Sequence, residues 1–203
     1  MKGQLTILIF VCVLTQANAQ TNAFYFTSSP QSFIGQGKTL LATTTNGYAF
    51  SGYSSSVYMD SVTFNIGSSG NPPTLWILSF STATPPFTVG SYSNAVRFPD
   101  GGGTAPGLDF SGDGRGDNTL TGSFDILELS FSTNHTLISF AADFIQYDNG
   151  NPNEWNEGSI RYNSTIPIPE PSALAIISLC SFCCLLARQK LPRRAVSRKR
   201  GIH

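Results

Sequence analysis

The stretch ISFAADF, residues 138–144, decides the fold prediction because its large apolar side chains alternate with small or polar ones. Ile138, Phe140, Ala142 and Phe144 occupy every second position, which is the period of a strand with one buried face. It is the clearest strand of the chain. We therefore expect a β-strand here, in a sheet that covers an apolar core.

Alternating segments recur on both sides of this strand, with glycine and proline clusters between them. The segment before it changes phase, which indicates either a β-bulge or a strand buried on both faces. Residues 132–135 (STNH) would form the turn of a hairpin. No amphipathic helix is evident, so we predict an all-β, antiparallel β-sandwich, with a jelly roll as one arrangement. The alternating positions are Tyr58, Asp60, Val62, Phe64 and Ile66; Trp76, Leu78 and Phe80; Phe124 and Ile126, then Leu127, Leu129 and Phe131; and Ile160 and Tyr162.

The two ends of the chain differ in composition from this body. Lys2, the apolar run from Leu5 to Leu14 and the small residues Ala17 and Ala19 form the pattern of a secretory signal peptide, cleaved before Gln20. Near the other end, residues 173–187 (ALAIISLCSFCCLLA) are uncharged and apolar, about 22 Å long as a helix. The apolar run predicts a single transmembrane helix, and the basic tail that follows it predicts a cytoplasmic C-terminus. The first cations of this tail are Arg188, Lys190, Arg193 and Arg194.

The tripeptide Pro169-Glu170-Pro171, followed by Ser172, the apolar run and the basic tail, resembles the PEP-CTERM sorting signal of bacterial exported proteins. The resemblance covers about residues 166–200. It implies delivery by the Sec translocon and recognition by exosortase, an integral-membrane cysteine protease. Transient anchoring would be followed by processing and release or attachment at the cell surface. The family context associates such proteins with biofilm and exopolysaccharide, which becomes a candidate partner.

These observations predict five segments. They are a signal peptide (1–19), an exported β-sandwich domain (20–162), a proline-rich linker with the sorting motif (163–172), a transmembrane helix (173–187) and a basic tail (188–203). Pro167 and Pro169 favour an extended stem that would keep Glu170 clear of the domain.

Charge and cysteine content limit what the body can do. Between Gln20 and Pro171 there are 4 cationic and 12 acidic side chains, a net charge of −8, which disfavours nucleic acid as a partner. The same segment contains no cysteine. It therefore has no disulfide framework, thiol nucleophile or thiolate metal site.

Three stretches of the body resemble a recurring exported bacterial β-domain without an established activity: residues 87–98, 106–129 and 140–164. Relatives often carry one cysteine in the glycine-rich turn and one after the FAADF strand. The matching positions here are Asp117 and Asp148. The resemblance implies that these two aspartates lie close together.

An oxygen-rich pattern marks one candidate metal site. Asp109, Asp113 and Asp117 recur every four residues in DFSGDGRGDN (109–118), and Asp148 begins a second such loop. Ca²⁺ prefers carboxylate, amide and carbonyl oxygens, so these aspartates are candidate ligands. The spacing is not that of an EF-hand, and ordinary Asx- and glycine-rich turns explain the pattern equally simply.

No pattern in the body indicates catalysis. His135 falls in a predicted turn, and no serine has the sequence context of a nucleophile elbow. Trp155, flanked by amides and carboxylates, is a candidate platform for a sugar ligand or a lid on the core. We therefore expect a non-enzymatic surface or extracellular-matrix protein without a resident cofactor. The alternatives are a carbohydrate- or calcium-binding module and, less favoured, a glycan-active enzyme.

Overall fold

A computed structural model describes residues 21–55, 59–99 and 104–169. In these ranges the chain is all-β apart from one 3-10 turn, Thr44–Asn46, as predicted. No described helix is long and apolar enough to cross a membrane. The predicted signal peptide, transmembrane helix and basic tail lie outside these ranges. The strands are β1 (Thr21–Ser28), β2 (Thr39–Thr43), β3 (Tyr48–Ser54), β4 (Ser61–Ser68), β5 (Thr74–Ser81), β6 (Gly90–Arg97), β7 (Gly107–Gly112), β8 (Leu120–Phe131), β9 (Leu137–Asp148) and β10 (Trp155–Ser164).

The described strands are hydrogen-bonded in one continuous order, β2-β1-β10-β9-β8-β6-β7-β5-β4-β3. Neighbouring strands are antiparallel except β6 and β7, which run parallel and meet only at Val96–Gly107 and Arg97–Leu108. This short junction divides the sheet into a larger half, from β2 to β6, and a smaller half, from β7 to β3. The antiparallel prediction is confirmed apart from the pair β6 and β7, and the two layers expected of a β-sandwich belong to one continuous sheet.

The two halves face each other across an aromatic core. The rings of Phe26 in β1 and Trp76 in β5 have centroids 4.6 Å apart, and those of Phe64 in β4 and Phe140 in β9 are 5.0 Å apart. Aromatic side chains bury large apolar areas and so dominate such a core. The sheet therefore folds over on itself, with its apolar face inside.

Residues 138–144 belong to β9, and the structure contradicts the predicted inward orientation of one of them. The inward positions from Phe140 to Phe144 are buried, whereas Ile138 is 45% exposed. Pairing with β8 shifts by one residue between Ser139 and Leu137. Ile138 is the extra residue of this bulge, and the bulge turns its side chain away from the core.

The phase change in β8 is also explained by a bulge. The register shifts between Ile126 and Glu128, and Leu127 between them is 39% exposed. Alternation is confirmed in β4 and β5, while Tyr58 lies outside the described residues. The buried side chains of these two strands are Val62, Phe64, Ile66, Trp76, Leu78 and Phe80.

A buried glutamine closes the seam beside the parallel junction. Beyond Leu108, β7 has no strand neighbour on its β6 side among the described residues. Gln146 of β9 fills this place: its Oε1 accepts from Phe110 N at 2.8 Å, and its Nε2 donates to Phe110 O at 3.0 Å. Gly122 of β8 lies opposite Gln146, and a Cβ there would lie 2.4 Å from Ile145 O. One side chain thus replaces a pair of backbone hydrogen bonds.

Replacing Gln146 by leucine should destabilise the fold by about 3 kcal/mol, because two buried backbone groups of Phe110 would lose their partners. Urea unfolding of the variant measures this loss. The control is Gln31→Leu, since Gln31 is exposed in the loop after β1. Equal stabilities of the two variants would contradict the assigned role of Gln146.

Candidate functional site

The inner face of β9 changes from apolar to polar near the end of the strand. Beyond Phe144 the inward positions are Gln146 and Asp148, both fully buried. A buried carboxylate is tolerated when hydrogen-bond donors or positive charges surround it. The buried carboxylate of Asp148 therefore requires hydrogen-bond donors around it.

Donors from two separate segments surround Asp148. Its Oδ2 accepts from Ser32 Oγ at 2.7 Å and from Ile34 N at 3.3 Å, both in the loop after β1. Its Oδ1 accepts from Asn156 Nδ2 of β10 at 2.7 Å. Ser32 Oγ also lies 2.8 Å from Asn156 Oδ1, so its single proton has two acceptors within reach. Both carboxylate oxygens are thus occupied by the protein itself.

Asp117 lies beside Asp148, as the resemblance implied. It is 7% exposed, accepts a hydrogen bond from Asn149 N at 3.2 Å and lies close enough to Asp148 for the two carboxyl groups to interact electrostatically. Burial, and then the charge of Asp148, raises the pKa of Asp117 from 3.8 to about 6. Two neighbouring carboxylates repel each other, so the buried pair favours the protonated form of Asp117 at low pH.

The other two predicted calcium ligands lie elsewhere. Asp109 belongs to β7, so the predicted loop begins only at Asp113. Asp113 Oδ2 is 3.6 Å from Lys38 Nζ and 3.8 Å from Arg115 Nη2. In the described ranges no group of three or more histidine, cysteine or acidic side chains is placed to hold a metal ion.

Trp155, the candidate sugar platform, is a strand residue. It begins β10, is half-buried and lies directly opposite Tyr147 of β9. The next residue along β10, Asn156, and the preceding one along β9, Gln146, are fully buried. Because side chains alternate along strands, Trp155 and Tyr147 lie together on the outer face of the sheet.

Of the predicted sorting motif the structure describes only Pro169, which is exposed. The other residues predicted for sorting, signal cleavage and the basic stop lie outside the described ranges: Glu170, Pro171 and Ser172; Ala17, Ala19 and Gln20; and Arg188, Lys190, Arg193 and Arg194.

Arg161 connects the body to the segment before this motif. It is 1% exposed on the outer face of β10. Its guanidinium donates to Ala142 O at 2.8 Å, to Asp143 Oδ1 at 2.8 Å and to Pro167 O at 3.2 Å. β10 also continues to Ser164, past the predicted boundary at residue 162. The first part of the predicted stem is therefore hydrogen-bonded to the domain.

Sequence reasoning missed the buried polar residues around Asp148 and Arg161. One signal was available, because Gln146 and Asp148 continue the spacing of Phe144 along β9. Polar residues in the buried phase of a strand indicate a hydrogen-bonded interior. Ser32 and Asn156 carry no comparable local signal.

Comparisons with known proteins leave this geometry to be interpreted by itself. No protein-family model, curated protein or solved structure matches the chain.

The Asp117–Asp148 pair should make stability depend on pH. A carboxyl group whose pKa is raised on folding contributes stability below its unfolded pKa of 3.8, and this stability is lost as pH rises through about 6. Each pKa unit corresponds to about 1.4 kcal/mol, so the loss should approach about 3 kcal/mol above neutrality.

Asp117→Asn should remove this dependence, because an amide does not ionise. Urea unfolding from about pH 4 to about pH 8 gives the measurement. The variant should gain stability over wild type as pH rises. The control is Asp125→Asn, at an exposed position of β8. A difference between wild type and Asp117→Asn that stays constant with pH would contradict the raised pKa of Asp117.

Proposed function

We propose that the chain is an exported bacterial cell-surface or extracellular-matrix protein with no enzymatic activity, sorted through its C-terminal PEP-CTERM signal. The Sec translocon would export it, and residues 173–187 would anchor it with the β-sandwich body outside the cytoplasm. Exosortase would then process it for release or surface attachment. The observation that carries the proposal is the ordered set of sorting motif, apolar run and basic tail.

The described body suits this role. Its core is aromatic, and the buried polar side chains of Gln146, Asp148 and Arg161 are hydrogen-bonded within the domain, which contains no cysteine. Its acidic composition disfavours nucleic acid as a partner. The contact from Arg161 to Pro167 O comes just before the motif, and Pro169 is exposed. This exposed exit is compatible with access by a protease.

A structural role for the close pair Asp117 and Asp148 supports a non-enzymatic function. Asp148 is fully buried, and both of its oxygens accept hydrogen bonds from protein donors. A general base needs a lone pair directed at a substrate. His135 lies in the turn between β8 and β9, with φ 63°, as expected for a turn residue.

Mass spectrometry of the mature protein tests the sorting proposal. In a host with active exosortase, the mature chain should lack the residues after Pro171, whereas Glu170→Ala should keep them. Glu157→Ala, which removes an exposed carboxylate of β10, is the matched control and should be processed normally. Retention of the C-terminal segment by wild type would disprove the proposal.

A carbohydrate-binding surface module is the second candidate, with exopolysaccharide as a possible class of partner. The specific observation in its favour is the placement of Trp155 opposite Tyr147 on the outer face. Aromatic rings with polar neighbours offer both an apolar face and hydrogen-bonding groups to a ligand.

Calcium binding is a third candidate, and it now depends on the pair Asp117 and Asp148. If a cation binds to this pair of carboxylates, added Ca²⁺ should raise the melting temperature of wild type but not that of Asp117→Asn. An unchanged wild-type melting temperature would remove this candidate.

A further inference from the structure

The outer face of the larger half-sheet carries a groove of about 500 Å³ where β6, β8 and β9 meet. Ala95, Val96, Gly122 and Ile145 form its apolar part. Its remaining lining residues are Ser93, Asn94, Thr121, Ser123 and Tyr147. The groove thus combines hydroxyl, amide and aromatic groups on an open surface.

A bulge in β6 forms one side of this groove. Pairing of β6 with β8 shifts between Tyr92 and Ala95, so Ser93 and Asn94 lie outside the regular ladder. Asn94 has φ 56°, in the left-handed region that asparagine tolerates better than most residues. Bulges redirect side chains and are common beside functional sites.

The polar side chains of the groove are left unpaired by the fold. Ser93, Asn94, Thr121 and Ser123 make no side-chain hydrogen bond to another residue in the described ranges. Several hydroxyls on other strands are bonded to each other, as Thr27 is to Thr39 and Ser68 to Thr74. The groove therefore keeps a set of donors and acceptors available to a ligand.

Two aromatic rings extend the groove across the sheet. Tyr147 lies between Thr121 of β8 and Trp155 of β10 in the register. Neighbouring strands are about 4.8 Å apart, so the three side chains form a continuous row. Aromatic rings supply flat apolar surface against which the C–H faces of sugar rings can pack, while hydroxyls and amides bind the sugar hydroxyls.

Charge selects the class of ligand. No lining residue of the groove is ionisable apart from the Tyr147 phenol. Asp125 and Glu157 are exposed on the same face. The described cations of these strands are Arg97, partly buried at the end of β6, and the buried Arg161, so the exposed charges of this face are acidic and disfavour polyanions.

We infer that this groove, together with Tyr147 and Trp155, binds a segment of an uncharged polysaccharide. The inference rests on the carbohydrate-binding candidate above and adds to it a site and a ligand class. It concerns only the body, so its failure is distinguishable from a failure of C-terminal sorting.

Affinity electrophoresis of the full-length chain in neutral detergent tests the inference, with gels containing an uncharged β-glucan, an uncharged mannan or a sulfated polysaccharide. At least one uncharged polymer should retard wild type, and the sulfated polymer should not. Tyr147→Ala and Trp155→Ala should each weaken binding about tenfold, the scale of one lost aromatic contact. The matched control is Tyr53→Ala, which removes a 54% exposed ring from β3 in the other half and should bind like wild type.

Thermal unfolding of each variant shows whether it has folded. If either aromatic variant fails to fold, Thr121→Val takes its place, because it removes only a hydroxyl at the groove. The inference is wrong if neither uncharged polymer retards wild type, or if only the sulfated one does. It is also wrong if Tyr53→Ala weakens binding as much as Tyr147→Ala. Mobility that depends on protein concentration without polymer would instead indicate that a second copy covers this face.

Discussion

Burial of the Asp148 carboxylate constrains one whole end of the fold. A carboxyl group inside a protein is strongly destabilising unless donors surround it. Ser32 and Ile34 supply them from the loop after β1, and Asn156 supplies another from β10. Asp117, in the segment before β8, lies beside this carboxylate with a pKa raised by burial and by the charge of Asp148. Segments far apart in sequence must therefore come together around this one group.

The same physical requirement explains how a single sheet closes without a disulfide. The parallel contact of β6 with β7 is short, and it leaves backbone groups of β7 without a strand neighbour. Gln146 satisfies them through its side-chain amide, and the absence of a side chain at Gly122 opposite it avoids a clash with Ile145 O and Leu108. Closure of the seam lets the aromatic rings of both halves exclude water from the core.

The two faces of β9 have different roles. Its inward residues Gln146 and Asp148 are committed to internal hydrogen bonds, whereas outward Ile145 and Tyr147 line the groove. Arg161, on the neighbouring strand β10, donates a hydrogen bond to Pro167 O, shortly before the predicted sorting motif. Because these inward and outward residues alternate along this part of β9, a substitution on its outer face leaves the buried hydrogen bonds in place.

The sequence by itself determined the all-β class, the β8–β9 hairpin and the presence of a phase change in β8, because these follow from alternation and turn residues that are local in the chain. The closeness of Asp117 and Asp148 followed from resemblance. Only the tertiary structure decided that both halves belong to one sheet, that Ile138 faces outward, that Trp155 begins a strand and that Arg161 is buried. These features depend on strand register and on contacts between distant residues, and period-two alternation is the same whichever strand lies alongside.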